Sequence, residues 1–210
     1  PGFVPTADKV ALIDLLSATG LTRIEATSFV APKWVPRMAD AARVMAGIRR
    51  APGVRYAVLT PNLEGFEAAR EAAADEVAIF ASASEGFSRK NINCSIAESL
   101  ERFAPVADAA RAAGLYLRGY VSCMVECPYD GKVAPEAVAS VTRALLDMGC
   151  YEVSLGDTIG RATPEAVDRV LAHLVATIDP AHLAGHFHDT GGRALDNVEV
   201  ALGHGLRTFD

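Results

Sequence analysis

Short runs rich in apolar and β-branched residues alternate along the chain with longer, alanine-rich stretches. In the longer stretches apolar residues recur every three or four positions, which is the period of an amphipathic helix. Parallel strands that are buried on both faces read as short, continuous apolar runs. The pattern therefore predicts an α/β fold in which helices cross between parallel strands. The predicted strands cover residues 23–29, 54–60, 76–82, 115–123, 151–156, 182–188 and 206–210.

The strand and helix units follow one another at a spacing of roughly 30 residues, the usual length of a βαβ unit. No linker, low-complexity stretch or change of composition interrupts them. We therefore predict one domain over residues 1–210. The chain opens with a predicted helix and stops at its seventh predicted strand, so we expect this domain to be incomplete at both ends.

Polar side chains recur where the predicted strands end. An open, doubly wound sheet and a closed barrel both alternate strands with helices, but a barrel brings all its strand ends to one mouth, whereas an open sheet uses mainly its switch point. The distribution favours a (β/α)8 TIM barrel that lacks its first strand and its C-terminal part in this chain. The polar strand-end residues are Glu25, Ser28, Thr60, Asn62, Ser82, Ser84, Ser122, Asp157, His186, His188 and Asp189.

Composition and charge narrow the classes of protein. Half of the residues are hydrophobic and 22% are charged, which is typical of a globular chain with a core and not of a disordered one. The formal charge of -6 contains no basic stripe, so we expect no nucleic-acid partner. No apolar run has the length of a membrane span, and the first residues do not resemble a signal peptide, so we expect no membrane partner. Four cysteines form no disulfide framework, which favours a reducing cytoplasm.

The strongest local signal is the sequence His186-Phe187-His188-Asp189 at the end of a short apolar strand. Side chains at positions i and i+2 of a strand point the same way, so the two imidazoles can converge on one metal ion. The alternative is a pair of polar strand-end histidines with backbone partners. At a barrel mouth the metal-binding interpretation is favoured.

Two acidic residues are candidates for catalysis. Asp157 follows a predicted strand between Gly156 and Gly160, where the backbone can approach a ligand closely. Its carboxylate can serve as a base, a ligand or an orienting group, and the alternative is an aspartate that caps a turn. Glu25 lies early in a predicted strand, either buried against a partner or used in catalysis. Because a buried carboxylate without a partner is costly, a cationic or metal neighbour is expected there.

Two further segments carry weaker signals. Cys123 and Cys127 are separated by three residues, but a structural zinc site needs a second pair that does not follow closely, so we expect one cysteine in the core and the other on the loop after the strand. Arg89, Lys90 and Asn91 precede a predicted helix, and a helix N-terminus beside two cations can bind phosphate or carboxylate. The alternative for these cations is contact with solvent alone.

Six segments in order along the chain resemble 3-hydroxy-3-methylglutaryl-CoA lyase, and the resemblance spans essentially all residues. HxHD and LGDT occur more widely among metal-dependent aldolase-like and acyl-transfer barrels, including isopropylmalate and homocitrate synthases. KNINCS and ECPYDGKV are specific to the lyases. The resembling segments are IEATSFVAPKWVPRMAD, LTPNLEGFEAA, KNINCSIAESLERF, RGYVSCMVECPYDGKV, GCYEVSLGDTIG and HFHDTGGRALDN.

The resemblance implies cleavage of 3-hydroxy-3-methylglutaryl-CoA to acetyl-CoA and acetoacetate with Mg2+ or Mn2+, as in leucine degradation. It also implies an acyl-CoA partner, a homo-oligomer such as a dimer, and a cytoplasmic, bacterial protein. The catalytic residues that it implies are Asp157, Glu25 and His186, and the metal ligands are His186 and His188. The residues that it places near the substrate are Ser28, Arg118, Ser154, Arg89, Lys90 and Asn91.

The chain departs from the family pattern at three places. The RDGLQNE motif, with a catalytic arginine and a metal-binding aspartate, is expected before Pro1. The GCPYA loop, with a catalytic cysteine, and a further asparagine ligand are expected beyond Asp210. We therefore expect residues 1–210 alone to lack lyase activity. Gly191 stands where the family usually has tyrosine, which is expected to loosen the mouth of the site.

Two other functions are compatible with the same motifs. A metal-dependent barrel that condenses acetyl-CoA with a 2-oxo acid, as isopropylmalate and homocitrate synthases do, would share HxHD and LGDT. A non-catalytic barrel remnant would keep the fold and lack the motifs expected at both ends. Release of acetoacetate, as opposed to production of free CoA that depends on a 2-oxo acid, distinguishes the two enzymes.

Overall fold

The structure is a computed structural model that describes residues 3–210. The strands in this range are β1 (Arg23–Ser28), β2 (Arg55–Leu59), β3 (Glu76–Ser82), β4 (Tyr116–Ser122), β5 (Glu126–Cys127), β6 (Gly131–Lys132), β7 (Glu152–Asp157), β8 (Leu183–Phe187) and β9 (Thr208–Phe209). The helices are α1 (Thr6–Ser17), α2 (Ala41–Gly47), α3 (Leu63–Glu71), α4 (Glu85–Ile92), α5 (Ile96–Ala112), α6 (Pro135–Asp147), α7 (Pro164–Val175) and α8 (Ala194–Gly203). All seven predicted strands are confirmed, whereas β5 and β6 were not predicted.

Side-chain capping marks the starts of two helices. Thr163 accepts a hydrogen bond from the Ala166 backbone N–H, directly before a proline at the first position of α7. Ser95 accepts from the Glu98 N–H while the Glu98 carboxylate accepts from the Ser95 N–H, which is a capping box. Helix α1 has no such side-chain cap: Pro5 occupies the cap position, and Thr6 is the first helical residue.

The chain divides into two compact units. The first contains the residues up to Ile79 together with Pro105–Leu117, and the second contains Phe80–Ala104 and Arg118–Asp210. In the first unit β1 pairs in parallel with β2, and β2 with the beginning of β3. The register of β1 against β2 shifts between Glu25 and Thr27, which marks a bulge. Aromatic and β-branched side chains fill the core of this unit, including Tyr56, Val58, Phe66 and Val77.

The second unit contains the rest of the parallel sheet. The Ala83 N–H donates to the Ser122 carbonyl at 3.0 Å, beside the ends of β3 and β4. Strand β4 pairs in parallel with β7, β7 with β8, and β8 with β9. Its core combines leucine, valine and alanine side chains, and Leu145, Leu155 and Leu171 are fully buried.

The resulting strand order is β1-β2-β3-β4-β7-β8-β9, while β5 and β6 form a separate antiparallel pair. The α/β class and the parallel seven-stranded sheet are therefore confirmed. The closed eight-stranded barrel, the incompleteness of the chain and the single domain stay predictions. No helix among residues 3–210 combines the length and the apolar character that crossing a membrane requires.

Candidate active site

The two histidines of the HxHD motif converge at the end of β8. His186 is the fourth residue of this strand, and His188 is the first residue after the strand ends. Their Nε2 atoms lie 3.0 Å apart, and the rings meet edge to face. This is the geometry that the i, i+2 spacing predicts, because both side chains leave the same side of the strand.

The hydrogen-bond partner of His188 determines which of its nitrogens is free. His188 Nδ1 lies 2.8 Å from the carbonyl oxygen of Thr158. A carbonyl can only accept, so Nδ1 carries a proton and the Nε2 of a neutral ring is an acceptor. His186 Nε2–H therefore donates to His188 Nε2 in this arrangement. To hold a metal ion through Nε2, a neutral His186 would have to carry its proton on Nδ1 instead.

The donor set fits one divalent ion as a partial ligand set. Two neighbouring ligands of an octahedral ion at about 2.1 Å lie about 3.0 Å from each other, which matches the separation of the imidazole nitrogens. No group of three or more His, Cys, Asp or Glu residues in the described part of the chain is arranged to hold a metal. The two histidines would thus need ligands from water, substrate or residues beyond this range.

A charged network lies beside His186. Arg118 and Tyr120 of β4 and Ser154 of β7 project from one side of the sheet, because their positions alternate in step across the paired strands. Arg118 Nη1 donates to Asp210 Oδ2 at 2.5 Å and to the Tyr120 hydroxyl at 2.7 Å. Ser154 Oγ donates to Asp210 Oδ1 at 2.9 Å. The same Oδ1 atom lies 3.6 Å from His186 Nδ1.

Asp210 is an ionised member of this network. Burial alone would raise the pKa of its carboxyl group, but His186, the Arg118 guanidinium and the Ser154 hydroxyl together lower the pKa to about 2. The sequence did not single out Asp210. The signal was nevertheless present, because this residue is a polar side chain at the end of a predicted strand like the other candidates.

Arg118 is buried, with 4% of its surface exposed. Burial would lower the pKa of its guanidinium, but Tyr120, Asp210 and Glu152 raise it above its usual value. Its Nε donates to Glu152 at 2.8 Å, while its Nη2 has no hydrogen-bond partner in the described residues. A buried cationic N–H group without an acceptor is rare in proteins, so Nη2 is available to a ligand oxygen. The predicted substrate contact of Arg118 stays a prediction.

Asp157 is buried and its carboxylate is already used. Oδ1 accepts from the Arg161 N–H at 3.2 Å, and Oδ2 accepts from the Ala162 N–H at 3.0 Å. Asn197 donates to the Ala162 carbonyl and holds the same turn from α8. Asp157 therefore makes the turn contacts that the alternative interpretation predicted, and its role in proton transfer stays a prediction.

The turn after β7 packs tightly on the segment that follows His188. The Gly191 N–H donates to the Gly160 carbonyl at 2.8 Å, and a Cβ at position 191 would lie 2.9 Å from that oxygen. Gly160 has a φ of +65°, and a Cβ there would lie 2.6 Å from Thr190 Oγ1. The glycine thus permits a close backbone contact at this place, while the expectation that Gly191 loosens the mouth of the site stays a prediction.

Glu25 and Ser28 lie in the first unit, on β1. Ser28 is buried, and its Oγ has no hydrogen-bond partner in the described residues, so it is available to a ligand. Glu25 is exposed, which excludes the buried carboxylate among its two alternatives: it lies at the bulge of β1, the first strand in the sheet order. The catalytic role of Glu25 and the substrate contact of Ser28 stay predictions.

The cationic segment differs from its predicted form. Arg89, Lys90 and Asn91 precede α5, as predicted, but they lie in the last turn of another helix, α4, and are exposed. The first N–H groups of α5 already bind carboxylates of the protein itself, since Ser95 N–H donates to Glu98 and Ile96 N–H to Glu85. The anion site predicted at that helix N-terminus is therefore occupied by glutamates. Contact of the three residues with CoA stays a prediction.

Cys123 and Cys127 both follow β4 in the chain, so a cysteine on the segment after the strand is confirmed, and both of them are buried. Burial raises the pKa of the Cys123 thiol to about 12. Burial would also raise the pKa of Cys127, but the Ser84 hydroxyl and the backbone N–H groups of Asp130 and Tyr129 lower it. Cys127 lies in the β5–β6 hairpin, whose two-residue strands are too short to show a period in the sequence.

These features define an α/β protein with its candidate site at the carboxyl ends of parallel strands, where such folds bind ligands. The sequence profile of the HMGL-like family matches residues 2–210. A Pseudomonas aeruginosa protein, 3-hydroxy-3-isohexenylglutaryl-CoA/hydroxy-methylglutaryl-CoA lyase, is 57% identical over 99% of this chain and 69% of its own length. The mitochondrial hydroxymethylglutaryl-CoA lyase of Bos taurus is also 57% identical, and the chain spans 64% of it. The chain therefore belongs to the HMGL-like family and is an enzyme of the lyase class.

Solved structures show the same relationship. An HMG-CoA lyase from Brucella melitensis is 66% identical with a TM-score of 0.98, over 100% of this chain and 74% of that one. An HMG-CoA lyase from Acinetobacter baumannii, solved in complex with coenzyme A and 3-methylmalate, is 37% identical with a TM-score of 0.95, over 100% of this chain and 68% of that one. A cytoplasmic 3-hydroxy-3-methylglutaryl-CoA lyase of Danio rerio is 56% identical over 99% of this chain and 62% of its length.

Proposed function

We propose that the protein cleaves 3-hydroxy-3-methylglutaryl-CoA to acetyl-CoA and acetoacetate with Mg2+ or Mn2+. The observation that carries the proposal is the match to lyases along the whole chain together with the paired imidazoles at the end of β8. The relative bound to coenzyme A and 3-methylmalate supports an acyl-CoA substrate.

His186 and His188 would hold the ion through their Nε2 atoms. When bound, the ion would polarise the tertiary hydroxyl and a carbonyl oxygen of the substrate. Thr158 keeps the His188 proton on Nδ1 and so leaves its Nε2 free. Arg118 Nη2 and Ser28 Oγ are buried groups that can donate to substrate oxygens. Asp157 and Glu25 are the candidate bases for the hydroxyl proton.

We propose a cytoplasmic location for this lyase, in a bacterium, acting in leucine degradation as a homo-oligomer such as a dimer. A bacterial relative and a cytoplasmic relative support the location, and the mitochondrial relatives are the competing case. Cell fractionation of the native host with an antibody against the protein tests the location. Analytical ultracentrifugation of the full-length protein tests the oligomer.

The decisive experiment measures acetoacetate release from 3-hydroxy-3-methylglutaryl-CoA by the full-length protein. A condensing enzyme would instead produce free CoA from acetyl-CoA only when a 2-oxo acid is supplied. Acetoacetate release with Mn2+ or Mg2+, and no release after chelation, is the expected result. CoA production that depends on a 2-oxo acid, without acetoacetate release, contradicts the proposal.

Two substitutions separate metal binding from proton transfer. His188→Ala removes one of few protein ligands and is expected to weaken Mn2+ binding and nearly abolish turnover. Asp157→Asn is expected to lose rate and keep Mn2+ binding. His204→Ala is the control, because His204 pairs with Asp168 away from the β8 histidines. Calorimetric Mn2+ titration decides the roles, and equal loss of Mn2+ binding in the first two variants refutes this division.

A further inference from the structure

Asp210 is brought to His186 by the pairing of the last two strands. Gly185 of β8 is opposite Phe209 of β9, so the next residue of each strand follows side by side. The Asp210 N–H donates to the Gly185 carbonyl at 3.2 Å, which fixes the backbone beside His186. Its side chain is 30% exposed, so it lies at the edge of the site and not in the core.

The Asp210 carboxylate is held in one orientation. Arg118 Nη1 contacts Oδ2, and Ser154 Oγ contacts Oδ1. The guanidinium is itself anchored by Glu152, at 2.8 Å from Nε. Oδ1 is consequently directed to the side where His186 Nδ1 lies at 3.6 Å, a distance that suits charge attraction and exceeds an ordinary hydrogen bond.

Metal binding by His186 would require a hydrogen-bond acceptor at its Nδ1 atom, where Asp210 lies. A neutral imidazole that binds a metal through Nε2 must carry its proton on Nδ1, and metal-binding histidines usually donate that proton to a carboxylate or carbonyl. His188 has the Thr158 carbonyl for this purpose. On the Nδ1 side of His186 the structure places the Asp210 carboxylate.

We propose that Asp210 is a positioning residue: it accepts the Nδ1–H of His186 and so presents the Nε2 of that ring to the divalent ion. The inference rests on the proposed function, because it needs an ion between the two histidines. Arg118 and Ser154 serve the same end by preventing rotation of the carboxylate. Asp210 then has a role in metal affinity although it does not touch the metal.

The substitution Asp210→Asn tests this role because it keeps the shape of the side chain and replaces one hydrogen-bond acceptor, a carboxylate oxygen, with a donor, the amide NH2 group. Arg118 requires an acceptor, so the amide oxygen takes the position of Oδ2 and the amide NH2 group takes that of Oδ1. The NH2 group then donates to His186 Nδ1 and favours the tautomer with the proton on Nε2, which cannot bind the ion. We expect the Mn2+ dissociation constant to rise about 10- to 100-fold.

The experiment uses the full-length protein and two measurements. Calorimetry gives the Mn2+ dissociation constant, and 15N NMR of histidine-labelled protein, free and saturated with Mg2+, gives the tautomer of His186. Asp210→Glu restores a carboxylate and should recover part of the affinity. Asp168→Asn is the matched control, since it alters the other histidine–aspartate pair, His204 with Asp168, and should change neither measurement.

The outcomes separate this inference from the proposed function. A wild-type protein that binds neither Mn2+ nor Mg2+ overturns the metal site and the role of Asp210 with it. The role of Asp210 alone is overturned by a different result: the wild type binds Mn2+, the Asp210→Asn variant has a Mn2+ dissociation constant within twofold of the wild type, and His186 in that variant still carries its proton on Nδ1. Should the Asn variant fail to fold, the Mg2+-saturated wild type decides: a proton on His186 Nδ1 supports the role, and a bare Nδ1 refutes it.

Discussion

Replacing Arg118 with methionine should strongly destabilise the fold, because the guanidinium is the cation of a buried network. Arg118→Met keeps much of the side-chain length and removes the contacts to Glu152, Tyr120 and Asp210. The Glu152 side chain is only 6% exposed, so water cannot replace its lost cation, whereas Asp210 is 30% exposed and retains Ser154. Removing one partner of a buried ion pair usually costs about 3–5 kcal/mol, and most of that should come from Glu152.

Urea unfolding of the full-length protein, followed by circular dichroism, measures this loss. Arg111→Met is the matched control, because Arg111 forms the same kind of pair with Asp108 at 3.0 Å but both side chains are more than half exposed. Exposed pairs contribute about 0–1 kcal/mol, so the control should unfold nearly as the wild type does. Adding Glu152→Gln to Arg118→Met should recover part of the stability. Equal unfolding free energies for the two arginine variants would show that the buried network contributes no more than a surface pair.

Two further predictions concern other parts of the fold. Gly160→Ala should lower the free energy of unfolding by about 1–3 kcal/mol, because the backbone φ is +65° and the new Cβ would meet Thr190. The control is Gly203→Ala, in open space at the end of α8, which should leave the free energy of unfolding unchanged or raise it by up to about 1 kcal/mol. Equal urea midpoints for the two variants would contradict this prediction. Burial tends to raise the pKa of Asp40, but Lys9 and Thr6 hold it below its usual value. The contribution of Asp40 to the free energy of unfolding is therefore complete above about pH 4 and is lost as the pH falls further. Asp40→Asn should remove that part of the acid dependence of unfolding. An unchanged acid dependence in this variant would show that the contact with Lys9 contributes nothing.

The sequence determined much of the fold because the signals are local. Apolar runs marked all seven strands of the parallel sheet, and helical periods marked the stretches between them. The convergence of His186 and His188 was also predictable, since the alternation of side chains along one strand decides it. The pair β5–β6 was missed because two residues per strand form no period.

Tertiary structure decided what surrounds those histidines. Arg118 and Asp210 are 92 positions apart and meet only because four strands pair in a particular order and register. The turn contacts of Asp157 depend on where the chain goes after β7, and the exposure of Glu25 on its place at the bulge of β1. The alternation of side chains along a strand lets the sequence predict on which side of the sheet a residue lies. The partner across that side depends on non-local hydrogen bonding between strands, and so the acceptor offered to His186 could be read only from the folded chain.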